Sequence, residues 1–262
     1  MQPIHHTAQQ GFSQTAALYQ QVRPDYPKEI VNWLKQELDL NQASRVVDLG
    51  AGTGKFIPYL QQLSSEIIAV EPVQAMREQL HLAYPEVNLV DAYSANIPLS
   101  AQSVNAVLCA QSFHWFSNLQ TLTELNRILK TGGHLGLIWN QRDVSVDWVK
   151  ALADVLQPLE QDTPRYHSGN WKNVFEDQQL FEFSGVQTFT QTQKGSVEQV
   201  VSKRLLSTSF IAAMPIQQQL ELKQQFEQIV FKFKGLQVQD EIEFPYITYA
   251  YHYKKREPLI NL

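Results

Sequence analysis

The sequence predicts an α/β protein of Rossmann-like, three-layer αβα architecture, with a mostly parallel sheet between two layers of helices. Three observations carry that prediction. Short β-branched runs alternate with amphipathic stretches between Arg45 and Asn140, the rhythm of successive βαβ units. One run, Val46-Val47-Asp48-Leu49, leads straight into the glycine-rich turn Gly50-Ala51-Gly52-Thr53-Gly54. About 20 residues later a second run ends in an acid, Glu71.

The elements follow in order. Pro27 opens a helix whose apolar face is Ile30, Leu34 and Leu38, since proline in a first helical turn wastes no donor. Strands are predicted at Arg45–Leu49, Ile67–Val70, Val87–Val90, Val104–Ala110 and His134–Trp139. Between them Phe56, Leu60 and Leu63, then Met76, Leu80 and Ala83, then Leu119, Leu122, Leu125 and Leu129 recur at helical spacing. Thr131-Gly132-Gly133 reads as the stop of the last of these helices, with the chain entering the sheet again at His134.

After Asn140 the rhythm changes. Helical stretches at Val146–Leu156 and Pro215–Phe233 flank a strand-like run, Val186–Gln193, and suggest a cap. The alternation of Phe244, Tyr246, Thr248 and Ala250 with Ile247, Tyr249 and Tyr251 predicts a last strand, whose start Pro245 confines to a sheet edge. The organisation expected is an N-terminal lid and first helix over residues 1–40, a cofactor-binding core over 41–143, and cap helices with C-terminal strands over 144–262, completing the same domain.

Composition narrows the function. A net charge of −5 and one short basic run, Lys254-Lys255-Arg256, disfavour nucleic acid, which needs a concentrated basic face. A single cysteine, Cys109, allows no intrachain disulfide. The start of the sequence lacks a secretory pattern and no apolar run reaches membrane-spanning length. A soluble cytoplasmic protein without membrane partners, monomeric or homodimeric, is expected. The seven histidines show no ligand spacing, so no metal is implied.

The glycine turn carries the chemistry. Alternate glycines let backbone approach a ligand closely. A dinucleotide turn places its third glycine where this chain has Lys55, which weighs against a nicotinamide-dependent oxidoreductase. Glu71, at a strand end, is placed to accept both hydroxyls of a ribose. These segments resemble the class I S-adenosylmethionine-dependent methyltransferases: Asp48 to Gly54 is similar to their first motif, Glu71-Pro72-Val73-Gln74-Ala75-Met76 to their second-strand acid and adenine-flanking residues, and Leu125 to Gly133 to the helix and turn before their fifth strand.

The resemblance implies a seven-stranded sheet with an antiparallel last strand, and S-adenosyl-L-methionine as cofactor. The contacts it implies are Asp48, Gly50, Ala51, Gly52, Gly54, Glu71, Pro72 and Met76. Ser94 and Ala95 stand where many relatives carry an acid near the adenine, leaving that contact to backbone groups or to Asp91. Phe12-Ser13, Tyr19, Arg23-Pro24-Asp25-Tyr26-Pro27, Gln111 to Phe116, Trp139 to Asp143, Ser207 to Phe210 and Phe244 to Thr248 resemble a small-molecule branch that includes trans-aconitate and quinone-biosynthesis methyltransferases.

In an open α/β sheet ligands sit beyond the carboxyl ends of the strands, which gathers Gly50, Glu71, Ser94, Gln111 and Asn140 into one site. His114 suits either a base or an orienting donor, or an anchor for the aromatic plug Phe113, Trp115 and Phe116. Arg23 is suited to a cofactor or substrate carboxylate and Tyr19 to covering the cofactor, with packing of the lid as the alternative for both. Trp139 and Asn140 are candidates for the acceptor pocket, Arg142 with Asp143 for an internal ion pair, and Trp33, Trp148 and Trp171 for packing. Cys109, inside an apolar strand, reads as a small hydrophobe. Methyl transfer to a small acceptor is the expected reaction. A non-catalytic protein that binds the cofactor as a sensor or assembly partner is the alternative from a different class.

Overall fold

The computed structural model of the protein describes residues 21–257. Strands β1 (Arg45–Leu49), β2 (Glu66–Val70), β3 (Asn88–Val90), β4 (Val104–Ala110) and β5 (Leu129–Arg142) are mutually parallel. Two long strands, β6 (Phe181–Ser196) and β7 (Glu241–Lys255), complete one sheet of order β3-β2-β1-β4-β5-β7-β6. β7 runs antiparallel to both of its neighbours. Strand order reverses between β1 and β4, and that switch point opens a crevice at their carboxyl ends.

The parallel strands are apolar on both sides because helices cover both faces. On one face Val46, Ala69, Ala106, Leu108 and Ile138 pack under α1 (Ile30–Glu37), α2 (Ile57–Leu60) and α3 (Gln74–Ala83). On the other, Val47, Leu49, Ile68, Val107 and Leu137 pack under α4 (Leu119–Ile128) and the 3₁₀ segment Asn170–Phe175, whose Trp171 is 1% exposed. α1 starts at Ile30, so Pro27 sits in the preceding turn, where its carbonyl accepts from the Ile30 amide.

A third apolar core forms the cap. α5 (Asp147–Leu156) follows β5, and the π-helical turn Glu198–Lys203, α6 (Arg204–Leu206), α7 (Ser209–Ala212) and α8 (Ile216–Lys234) connect β6 to β7. Their Leu152, Val201, Leu205, Ile211 and Phe226 close on Ile242, Phe244 and Tyr246 of β7. No helix among the described residues is long and apolar enough to cross a membrane.

Three sequence expectations change. α4 ends at Leu129 in extended geometry and β5 starts there. The pair Gly132-Gly133 therefore lies in a bulge, where the β4–β5 register jumps from Val104↔Leu129 to Ala106↔His134 and Gly132 takes φ +72. Pro245 lies on an interior strand, yet costs no ladder bond: β5 ends opposite Tyr246, and the Pro245 carbonyl accepts from Asp143 just beyond. The run predicted at Val186–Gln193 extends to 16 residues as the outer strand β6, whose exposed polar side chains gave little hydrophobic signal.

Candidate active site

A cavity of about 1140 Å³ opens at the carboxyl ends of β1, β2 and β4, lined by the glycine turn, Glu71, Pro72, Met76, Ser94, Ala95 and Gln111. The turn has a steric logic. Gly50, Gly52 and Gly54 all take positive φ (+68, +58 and +85), which favours glycine. A Cβ on Gly50 would stand 2.6 Å from Ser112 Cβ, and one on Gly54 would stand 2.9 Å from the Tyr84 ring. At Gly52 it would meet nothing within 4 Å, because that position faces the cavity.

Two acids frame the turn. Asp48 is 1% exposed, and neither carboxylate oxygen has a hydrogen-bond partner among the described residues. Burial, reinforced by the nearby Glu71, raises its pKa to about 7. Glu71 is also buried, but each of its oxygens accepts from a backbone amide, Oε2 from Gly52 at 2.8 Å and Oε1 from Val73 at 2.8 Å. Burial pushes its pKa up against the pull of those amides and of Arg77. Each oxygen keeps a second lone pair for a further donor.

The far end of the cavity is set by β3, β4 and α4. The Ser94 hydroxyl bonds Thr121 Oγ1 at 2.8 Å, which leaves the backbone of Ser94 and Ala95 at the wall. Asp91 is engaged by both terminal nitrogens of Arg77, at 2.9 and 2.8 Å. Sequence reasoning passed over Glu124, which also lines the wall and holds the Ile97 amide and Arg127. It passed over Ser112 as well, whose hydroxyl donates to the Leu49 carbonyl at 2.6 Å and ties the plug to the end of β1. Lys55 lines the cavity with an ion pair to Asp25 at 2.9 Å. Gln111, at φ +63 just past β4, donates to the Asn140 carbonyl.

Gln111 also borders a second, smaller cavity of about 60 Å³, and this is where Arg23, His114, Trp139 and Asn140 lie. The structure thus divides the gathered residues between two adjoining spaces. His114 Nδ1 accepts from Trp139 Nε1 at 3.0 Å, which places the proton of a neutral ring on Nε2. Burial, with Arg165 and His167 nearby, lowers its pKa to about 3. Such a ring orients or donates, and His114 lies against Trp115 and Trp139, while the plug residue Phe113 is fully buried against Phe116, Trp171 and Phe175. Arg23 donates to the Ser207 carbonyl at 2.9 Å.

Asn140 is fixed on both sides, donating to the Asp25 carbonyl and accepting from Thr248 Oγ1. The expected Arg142–Asp143 pair does not form: Asp143 accepts from the Ser145 amide and hydroxyl, while Arg142 points to the small cavity. Alternation along the strand end sends these neighbours to opposite sides. Tyr19 lies outside the described residues. Cys109 is fully buried and its thiol pKa is pushed up by burial, as expected of an inert core cysteine.

An acid-lined glycine turn at the switch point of a Rossmann-like sheet defines an enzyme class that takes a nucleoside-bearing cofactor. A family model described as a methyltransferase domain matches residues 47–137. An uncharacterized methyltransferase of Schizosaccharomyces pombe is 34% identical, over 93% of this chain and 96% of its own length. One from Mycobacterium tuberculosis is 32% identical, over 71% and 80% respectively. In fold, the chain matches the structure of a candidate type II methyltransferase from Anaeromyxobacter dehalogenans with TM-score 0.68, at 19% identity over 88% of this chain and 97% of that one. The chain belongs to the class I S-adenosylmethionine-dependent methyltransferases.

Proposed function

We propose that the larger cavity holds S-adenosyl-L-methionine and that the protein methylates a small-molecule acceptor. The observation that carries the reading is the unpartnered carboxylate of Asp48 beside a glycine turn that leaves ligand space at Gly52. An isolated buried carboxylate is unfavourable, and a cationic ligand is its natural partner. The cofactor brings an ammonium group and a sulfonium, and when bound it supplies a methyl group already activated for displacement.

The chain's own residues bind, orient and exclude water. The spare lone pairs of Glu71 suit two ribose hydroxyls. Pro72, Met76 and the backbone at Ser94 and Ala95 suit a flat base. Trp115, Phe116 and Leu119 give the remaining wall apolar surface, which keeps water from the reacting atoms. The cofactor, when bound, would supply a methyl group open to in-line attack by the acceptor's lone pair, with sulfur keeping the electrons of the carbon–sulfur bond. Positioning in line supplies much of the rate. Neutral His114 donates from Nε2 and takes up no proton.

A net charge of −5 favours a small acceptor over nucleic acid. Incubation with methyl-labelled cofactor and a cell extract, followed by size separation, tests this. Label in the low-mass fraction is expected, and label confined to nucleic acid or protein would overturn the choice of acceptor class.

A further inference from the structure

The smaller cavity is built around positive charge. Arg142 at the end of β5 and Arg204 at the start of α6 line it, with Arg23 and Arg165 beside them. Among the described residues the one carboxylate in its wall is Glu160, whose Oε2 is engaged by His167 at 2.7 Å and whose single charge also acts on Arg142 and Arg165, one carboxylate against four arginines. Residues 1–20 contain neither Asp nor Glu, so that segment has no acidic side chain to offer.

Arg204 is 5% exposed, yet its Nε and Nη1 are buried with no hydrogen-bond partner among the described residues. The Thr208 hydroxyl on the same wall is also buried and unpartnered. Burial and the charge of Arg204 together pull the pKa of Arg142 down to about 10, which leaves the Arg142 guanidinium charged at neutral pH. Buried cations of like sign are strongly unfavourable unless an anion joins them.

Resting on the small-molecule methyltransferase reading, we propose that this cavity anchors an organic-acid acceptor by its carboxylate, gripped by Arg142 and Arg204 with the Thr208 hydroxyl donating to it. A guanidinium fork matches a carboxylate with two parallel bonds. The volume of 60 Å³ admits a carboxylate head and little more. The rest of the acid passes Gln111, the residue shared by both cavities, toward the cofactor.

A carboxylate held this way has its lone pairs engaged and is a poor nucleophile. The methyl group therefore goes to a different atom of the acceptor, and the product keeps the anchoring charge. Neutral analogues are rejected because they would leave the buried guanidiniums unpaired, and a site built for a polar partner discriminates strongly against its absence.

The test is calorimetry on the full chain saturated with S-adenosylhomocysteine, titrated with malonate, succinate, citrate and benzoate and with the corresponding amides. At least one acid should bind, its amide should bind at least tenfold more weakly, and Arg142→Met and Arg204→Met should each weaken the acid tenfold or more. Arg204→Lys keeps the charge without the fork and guards against a misfolded variant; a loss of at least threefold is expected. The proposal is overturned if S-adenosylhomocysteine binds but no acid does, if amides match acids, or if the arginine variants bind acids unchanged. If an acid binds in an arginine-dependent manner and S-adenosylhomocysteine does not, the anion site stands and the cofactor reading fails.

Discussion

Replacing Asp48 with asparagine removes a buried charge while keeping the shape of the side chain. In the folded protein the Asp48 pKa rises from 3.8 to about 7, mainly through burial. A carboxyl whose pKa is raised by folding costs nothing while both states are protonated. The cost grows as pH climbs from the unfolded toward the folded pKa and is complete above the latter. At about 1.4 kcal/mol per pKa unit, ionised Asp48 destabilises the protein by roughly 4 kcal/mol above pH 7. Urea unfolding of both proteins, followed by tryptophan fluorescence at several pH values, isolates this contribution together with its coupling to Glu71, because titrations uncoupled from Asp48 cancel in the difference. The stability of Asp48→Asn relative to the parent should rise by roughly 2 kcal/mol between about pH 5 and 7 and level off above pH 7. A difference that stays flat across this range would refute the buried, unpartnered carboxylate.

Gly50→Ala meets Ser112 at 2.6 Å as well as a left-handed backbone, and should lose about 3 kcal/mol or more of stability. Gly52→Ala meets only the backbone cost of about 1–2 kcal/mol, but its methyl enters the cavity and should weaken S-adenosylhomocysteine at least tenfold; thermal melts and calorimetry separate the two. His114, with its pKa near 3, should show no NMR titration between about pH 5 and 8, so a midpoint near 6.5 would contradict its buried contact with Trp139. The same depression makes His114 cost stability as pH falls below its unfolded pKa, opposite in direction to Asp48.

The site was legible where its signal is local. The strand Val46–Leu49, the glycine turn and Glu71 form a short stretch in which each residue type has a steric or hydrogen-bonding duty, and the structure brings them to one cavity. Helical spacing likewise located α3 and α4 because one face of each is buried. The small cavity was hidden for the opposite reason. Arg23, Arg142, Arg165 and Arg204 come from the lid, β5, a loop and the cap, and no sequence pattern joins them; only Arg23 reads as a binding residue from the sequence. Arg142 was assigned to Asp143 by adjacency, which strand alternation defeats. β6 was underestimated because an outer strand with little burial carries no apolar alternation along most of its length, and Gly132-Gly133 resembled a helix stop because a bulge also takes a left-handed glycine.

The central claim, that the glycine turn and Glu71 hold the cofactor, is tested most directly by calorimetric titration of ligand-stripped protein with S-adenosylhomocysteine, S-adenosylmethionine and NADH, repeated on Glu71→Ala. Glu71 holds the Gly52 amide and faces the cavity, so binding of the first two ligands should weaken at least tenfold in the variant while NADH fails to bind either protein. Tight binding unchanged by Glu71→Ala, or binding of NADH alone, would contradict the account.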